Sequence, residues 1–328
     1  MSATTEESED SMLFEYIGRC VCFLFAFYFC YKLLKGFYTT YLGNALGLGV
    51  VWKPSPHTWA VITGATDGIG LEYASRLARM GYCLLIISRN DDKLQKVRAD
   101  LLSKNPKCAA IKTLAVDFTK SDIYDKIQEV TDSLDVIDVL VNNVGMSSKT
   151  CEYFTRIERL KDFIHSIINC NVFSMTKMIS LVLPKMVAKR RGIIISLSSL
   201  SATNPVPLLA VYSASKVYCD YLSRSLYYEY RDKGIIVQSV LPGFVSTNMS
   251  AMRPSFTCPT ADHYVREAIK TVGIESRTYG HYAHKLLGLL QDSINSTFGQ
   301  FLNTILAFRH LSKLRSRYYL KHRLRDDF

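Results

Sequence analysis

The sequence predicts an α/β fold, a doubly wound parallel sheet with an N-terminal membrane-anchor segment. Three observations predict it. Apolar runs alternate with helical patterns from residue 59 to residue 241, and short continuous runs of that kind suit parallel strands buried on both faces. The first run leads directly into a glycine-rich turn and then a helix, the local order that a phosphate cradle requires. Ahead of both lies an uncharged, aromatic-rich stretch, CVCFLFAFYFCY at 20–31.

That stretch sits between Arg19 and Lys32. Extended to 16–34 it makes about 28 Å of helix, enough to cross a hydrocarbon core of roughly 30 Å if the two flanking cations reach out to the interfaces. The leader before it is acidic (Glu6, Glu7, Glu9, Asp10, Glu15), whereas a cleaved signal peptide begins with a basic region. Lys32, Lys35 and Lys53 follow, so the positive-inside rule puts the body of the protein in the cytosol. The sequons at Asn248 and Asn295 would then go unused. Residues 36–52 carry four glycines and make a poor second span. The expected divisions are 1–56, acidic N-terminus and anchor; 57–285, the α/β body; and 286–328, an amphipathic and basic C-terminal tail.

Within the body, strands are expected at 59–63, 83–88, 111–118, 136–141, 192–197 and 235–241. Helices are expected at 69–80, 91–103 with Asp91 as its cap, 121–131, 157–187 as one or two pieces with Pro184 near the end, and 212–232. No internal repeat is present. Hydrophobic residues make up 48% of the 328 and charged residues 21%, which excludes a disordered chain.

The net charge of +11 owes much to the C-terminus, where Arg309, Lys313, Arg315, Arg317, Lys321, Arg323 and Arg325 occur before any acid. No nucleic-acid module accompanies them, so no nucleic-acid partner is expected. A solvated tail or contact with anionic lipid head groups remains, behind an amphipathic helix at 286–308. The nine cysteines have irregular spacing and no CxxC pair, so they read as small hydrophobes in a reducing compartment. His281 and His284 lack a third ligand and read as structural, with no metal site.

The turn after the first strand is Thr63-Gly64-Ala65-Thr66-Asp67-Gly68-Ile69-Gly70. Gly64 permits the turn, Gly68 lets backbone approach a pyrophosphate, and Gly70 lets the helix pack on the sheet; the helix N-terminus offers N–H groups and positive dipole. This is the cradle of a Rossmann-type site. The second strand ends Ser88-Arg89 where an NAD-selective site carries a carboxylate. A guanidinium there pairs with a 2′-phosphate, so the expected cofactor is NADPH.

Tyr212 and Lys216 stand four apart at the start of a helix, on one face. A cation beside a phenol favours its ionised form, fitting it for proton exchange with a carbonyl or alcohol oxygen. Ser199, at the end of the fifth strand, lies at the sheet's active edge and can hydrogen-bond a reacting carbonyl.

These motifs together resemble the short-chain dehydrogenase/reductase family: TGxxxGIG at 63–70, Asp117 after the third strand, NNVG at 142–145, Asn171, Ser199, Tyr212 with Lys216, and Pro242-Gly243 before Ser246-Thr247. The resemblance covers roughly residues 58–250. It implies a proton-relay tetrad of Asn171, Ser199, Tyr212 and Lys216. It also implies cofactor contacts from Gly64, Thr66, Asp67, Gly68, Ile69, Gly70, Ser88, Arg89, Asp117, Asn143, Tyr212, Lys216, Pro242, Val245 and Thr247, with Asn142 supporting the loop. Val144 departs from the family's usual alanine at a position that packs.

NNVG, the ISRN strand end, the leader and residues 260–286 resemble one branch, that of 17β-hydroxysteroid dehydrogenase type 3 and very-long-chain 3-oxoacyl-CoA reductase. That resemblance implies an endoplasmic-reticulum enzyme reducing a ketone on a hydrophobic steroid or acyl-CoA, with membrane lipid as a partner and a homodimer as a possibility. Substrate-lining residues are expected in the loop at 251–261. The competing readings are a non-catalytic scaffold on a cofactor fold, or a soluble carbonyl reductase of another substrate.

Overall fold

The computed structural model describes residues 3–38 and 42–322. Seven strands form one parallel sheet: β1 (Thr58–Thr63), β2 (Cys83–Ser88), β3 (Ile111–Ala115), β4 (Val136–Asn142), β5 (Gly192–Leu197), β6 (Ile235–Val240) and a short β7 (Arg277–Thr278). Their order is β3-β2-β1-β4-β5-β6-β7. Side chains alternate between the two faces of each strand. Ala60, Ile62, Leu84 and Ile86 join one core with Tyr73, Leu77 and Tyr264; Trp59, Val61, Leu85 and Ile87 join the other with Ile127, Met178 and Val182. Burial on both sides is why the strands read as unbroken apolar runs.

The chain winds outward from β1 through β2 and β3, then returns to pair β4 with the other edge of β1. The order reverses there, and a crevice for ligands opens beyond the carboxyl ends of these two strands.

The helices of the sheet domain are α2 (Gly68–Met80), α3 (Asp91–Lys104), α4 (Tyr124–Asp132), α5 (Leu160–Ile167), α6 (Ser174–Ala188), α7 (Ala210–Tyr230) and α8 (Ala261–Ala268); α1 is the leader helix, Ala3–Phe37. The cap of α3 is Asn90, which accepts from the Lys93 N–H at 2.8 Å, rather than Asp91. The expected helix over 157–187 is two helices joined by a π turn, Ile168–Phe173, and Pro184 is accommodated inside α6.

Two further helices follow the sheet, α9 (Tyr282–Phe298) and α10 (Gln300–Lys321). The expected single helix over 286–308 breaks at Gly299, whose φ of 67° is left-handed and costs glycine little. The position between 285 and 286 falls inside α9. Leu311 and Arg315 of α10 are buried, while Arg309, Lys313, Arg317 and Lys321 are exposed. The expected tail is therefore split into a face held by the domain and a face open to solvent; Arg323 and Arg325 lie outside the described residues.

Residues Met12–Phe37 of α1 form a stretch of 26 residues containing a largely apolar, unburied 18-residue window of mean hydropathy 1.6, by length and composition enough to cross a membrane. Phe25, Ala26 and Phe29 meet Leu290, Ile294 and Phe298 of α9 around an apolar groove of about 420 Å³. All nine cysteines are free.

Candidate active site

The turn after β1 is fixed by close packing at its glycines. Gly64 takes φ of 66°, and its N–H donates to the Ile87 carbonyl at 2.8 Å. A Cβ on Gly70 would lie 2.3 Å from the Gly64 carbonyl oxygen and 2.4 Å from Asn143 Nδ2, so only glycine lets α2 approach the turn. A Cβ on Gly68 would sit 2.9 Å from Thr247 Cγ2, so this glycine admits the loop after β6 to the mouth of the cradle. Asp67 caps α2: Oδ1 accepts from the Gly68 N–H at 2.7 Å, and Oδ2 accepts from Asn248 Nδ2 at 2.5 Å. Ile69 packs against the core.

The loop support expected of Asn142 falls to its neighbour. Asn143 Nδ2 donates to the Thr63 and Gly64 carbonyls, each at 3.0 Å, and its backbone N–H donates to Thr63 Oγ1 at 3.0 Å. The Val144 N–H shares that hydroxyl at 3.1 Å. Asn142 is buried, and its amide has no hydrogen-bond partner among the described residues. An unpaired buried amide at the carboxyl end of β4 is costly unless a ligand completes it.

At the end of β2, Ser88 Oγ lies 2.8 Å from Thr66 Oγ1, and Arg89 is exposed beside it. Asp117 accepts the Thr119 N–H at 3.1 Å, which holds its turn open beyond β3. The Pro242 carbonyl accepts from the Leu200 N–H at 2.7 Å and joins the loops after β5 and β6. Val245 is buried, and its carbonyl accepts from Ser250 Oγ at 2.6 Å. A cavity of about 530 Å³ opens between Asp67, Gly68 and Glu72 on one side and Ser246, Thr247 and Met252 on the other, within the usual size of a ligand site. These features fit a nucleotide: a glycine cradle at a helix N-terminus, a cation where the second strand ends, and a buried, unpaired amide at the carboxyl end of β4.

The catalytic group assembles on β5, the π turn and α7. Lys216 is 5% exposed, and its ammonium donates to the Leu197 carbonyl at 2.9 Å. It lies 5.9 Å from the centre of the Tyr212 ring. Ser198 Oγ donates to the Lys216 carbonyl at 2.7 Å, tying the end of β5 to the catalytic turn of α7. Ser199, at an extended φ of −162°, accepts from the Ser201 N–H at 3.1 Å.

Asn171 lies in the π turn, a bulge of the kind common at functional sites. Its Oδ1 accepts the Met146 N–H at 2.7 Å; its Nδ2 donates to the Met146 carbonyl and to Ser215 Oγ, both at 2.9 Å. Gly145 stands between them: a Cβ there would be 3.2 Å from Lys216 Nζ and 3.5 Å from Asn171 Oδ1. The structure thus brings Asn171, Tyr212 and Lys216 to one edge of the sheet, with Ser199 at the end of β5. It adds Ser198 and Ser215, which sequence reasoning did not single out, and gives Gly145 of the NNVG motif its place between Lys216 and Asn171. Ser215 lies between Tyr212 and Lys216 in the chain, so its proximity was the available signal.

Residues 58–256 match the family described as short chain dehydrogenase. The chain belongs to that family. It is 44% identical over 294 residues to the very-long-chain 3-oxoacyl-CoA reductase of Rattus norvegicus, covering 89% of this chain and 90% of that protein. It is 42% identical over 292 residues to the protein of the same name from Homo sapiens, covering 89% and 90%. Among solved structures it is similar to a short-chain dehydrogenase from Sphingobium yanoikuyae in complex with NADPH, with TM-score 0.57 and 26% identity over 62% of this chain and 80% of that one. A 7β-hydroxysteroid dehydrogenase aligns with TM-score 0.68 at 18% identity over 78% and 96%, which is a likeness of fold. As a member of the short chain dehydrogenase family, the protein is an oxidoreductase.

Proposed function

We propose that the protein is a membrane-anchored, NADPH-dependent reductase of long-chain 3-oxoacyl-CoA, held on the endoplasmic reticulum with its sheet domain in the cytosol. The observation that carries the reading is the Tyr212–Lys216 pair, buried at its lysine end and locked to the end of β5 through Leu197 and Ser198. The acyl-CoA assignment is supported by identity to reductases of that name over nine-tenths of the chain. The cofactor assignment is supported by Arg89 at the end of β2 and by the NADPH-bound relative.

When bound, NADPH supplies a hydride to the ketone carbon. Ser199 and Tyr212 hydrogen-bond the oxygen on which charge develops, and Tyr212 gives it a proton. Lys216, whose ammonium lies 5.9 Å from the centre of the Tyr212 ring, would hold the nicotinamide ribose of the bound cofactor. Asn171 keeps the Met146 loop and Ser215 in register behind it. Arg89 would hold the 2′-phosphate of the cofactor, and Thr247 and Val245 would lie on its side of the crevice.

The test is NADPH oxidation by the membrane-bound protein with a long-chain 3-oxoacyl-CoA and, in parallel, a 17-ketosteroid. The acyl-CoA is the faster substrate, and Tyr212→Phe lowers its turnover at least a hundredfold, the scale of lost acid catalysis. Full turnover by Tyr212→Phe would remove the assignment of the acid. Preferential turnover of the steroid would move the substrate to the other branch of the resemblance.

A further inference from the structure

A second group of charges is buried on the substrate side of the sheet. Glu152 lies in the segment between β4 and α5, seven residues beyond Gly145, and is 6% exposed. Its partners come from the far end of the chain: Arg315 Nε donates to Oε1 at 2.8 Å, and the Tyr319 hydroxyl donates to Oε2. Arg315 is 5% exposed, and its guanidinium lies 5.2 Å from the Tyr153 ring and 4.4 Å from the Tyr319 ring. Phe308 meets Tyr153 edge-on at 6.5 Å. Residues 308, 311, 315 and 319 form one stripe of α10, at the spacing of a single helix face. Burial opposes the charge on Glu152, but the phenol and the guanidinium outweigh it and hold the carboxyl below its usual range.

The backbone of the same residue reaches the catalytic helix. The Glu152 N–H donates to the Leu208 carbonyl at 2.9 Å. Leu208 is buried and has φ of 67°, a left-handed conformation that a leucine adopts only when its surroundings enforce it. Leu209 follows as the cap of α7, with its carbonyl accepting the Ser213 N–H at 2.8 Å. Tyr212 stands in the first turn of that helix. A continuous path therefore runs from α10 through the Glu152 carboxylate and backbone to the strained turn that sets where the phenol begins.

We propose that Glu152 and Arg315 are positioning residues: the C-terminal helix clamps the loop after β4 onto the Leu208 turn and so sets the place of the Tyr212 ring. The proposal rests on the reading of Tyr212 as the proton donor. An ion pair this far from solvent is a poor source of stability relative to apolar packing. Its use here is to fix one arrangement of three segments that are distant in sequence.

The test uses the full chain in membranes and three variants, Glu152→Gln, Arg315→Met and Arg315→Lys. Glu152→Gln keeps shape and acceptor but removes the charge. Its kcat falls about tenfold or more, because a ~1 Å misplacement at a reacting centre can cost a hundredfold, while KM for the acyl-CoA and for NADPH stays within about threefold. Arg315→Lys retains more kcat than Arg315→Met. In a Tyr212→Phe background Glu152→Gln produces no further loss, since residues acting through one group are not additive.

Unchanged kcat per folded site in Glu152→Gln and Arg315→Met overturns the proposal. So does a rise in both KM values matched by loss of thermal stability, with kcat per active site intact. An equal loss with and without Tyr212 also overturns it, but leaves the assignment of the acid standing. Full activity of Tyr212→Phe alone instead removes that assignment, so the two failures are distinguishable.

Discussion

At the scale of single residues, the cofactor end of the site offers the sharpest test. Arg89 is exposed at the end of β2, beside a Ser88 hydroxyl held by Thr66. Among the described residues no hydrogen bond or ion pair engages its guanidinium, so its removal reports chiefly on the ligand. Arg89→Ala raises KM for NADPH by about tenfold to a hundredfold, the range for a lost charge-assisted pair of ~1.5–3 kcal/mol. It leaves KM for NADH and thermal stability nearly unchanged. Steady-state kinetics with the two cofactors checks this, and an unaltered ratio of their KM values would show that the guanidinium does not read the 2′-phosphate.

The glycine turn, Ser199, Tyr212 and Lys216 were legible as residues because each sits at a fixed offset from a strand or helix end, whereas Asn171 entered only through the family resemblance. Asn143 replacing Asn142 as the loop's support was not. Two adjacent asparagines at a strand end point to opposite faces, and only the strand's register decides which amide meets the Thr63 and Gly64 carbonyls. Glu152 was illegible for a related reason: its partners lie 163 and 167 residues away, and no local pattern encodes such a pairing.

Elements were legible where one physical rule governed them. The buried parallel strands are continuous apolar runs, and six of them fall where hydrophobicity alone puts them; β7 has two residues and too little pattern to read. The π turn at Ile168–Phe173 escaped because its single extra residue does not disturb helical hydrophobic spacing enough to be seen. The break at Gly299 hid inside an apolar stretch, since glycine alone does not end a helix.

The helix α9 carries a prediction of its own. His281 is its cap, with Nδ1 accepting the Ala283 N–H at 3.3 Å. Burial, with His284 and His263 close by, lowers its pKa to about 4; Glu267 acts the other way and Arg266 adds slightly to the depression. His284 is lowered as well, chiefly by burial. Its Nδ1 accepts the Gly243 N–H at 3.2 Å, and its Nε2 lies 3.1 Å from the carbonyls of Phe244 and Thr257.

A histidine with a depressed folded pKa binds more protons when unfolded. Its contribution is complete above the unfolded value near 6.5 and is lost as pH falls toward the folded value. Denaturant midpoints therefore drop between pH 7 and pH 5, with a full loss of order 2–3 kcal/mol for His281 by the time pH reaches its folded value. His281→Asn, which keeps a capping oxygen without titrating, flattens that dependence. A wild-type midpoint constant from pH 7 to pH 5 would contradict the assignment.

At the scale of the whole molecule, the question is how a soluble-type sheet domain and an unburied apolar helix make one protein. The join is α9. One side of it meets Phe25 and Phe29 of α1. A neighbouring side hydrogen-bonds the loop after Ser199, through Gln291 Oε1 accepting from Thr203 Oγ1 at 2.8 Å. Lys285 of the same helix pairs with Glu275 at 2.6 Å, and its stem lies 3.1 Å from where a Cβ on Gly36 would be. The leader helix thus meets the domain through Phe25, Phe29 and Gly36, while Phe14, Phe23 and Phe27 are exposed.

A helix with Met12, Phe14, Phe23, Leu24 and Phe27 all exposed is an aggregation liability in water, and on the proposed anchoring a bilayer satisfies both these side chains and the helix backbone. Acidic residues precede the apolar stretch and lysines follow it, so the proposed anchor predicts a sheet domain facing the cytosol by the positive-inside rule. Sealed microsomes test anchor and orientation together. Alkaline carbonate leaves the chain in the membrane pellet. Added protease digests the sheet domain without detergent, and endoglycosidase produces no mass shift from Asn248 or Asn295. Release by carbonate would make α1 a peripheral contact rather than a span. Protection of the domain, or glycan on either sequon, would reverse the orientation and take the site away from cytosolic NADPH.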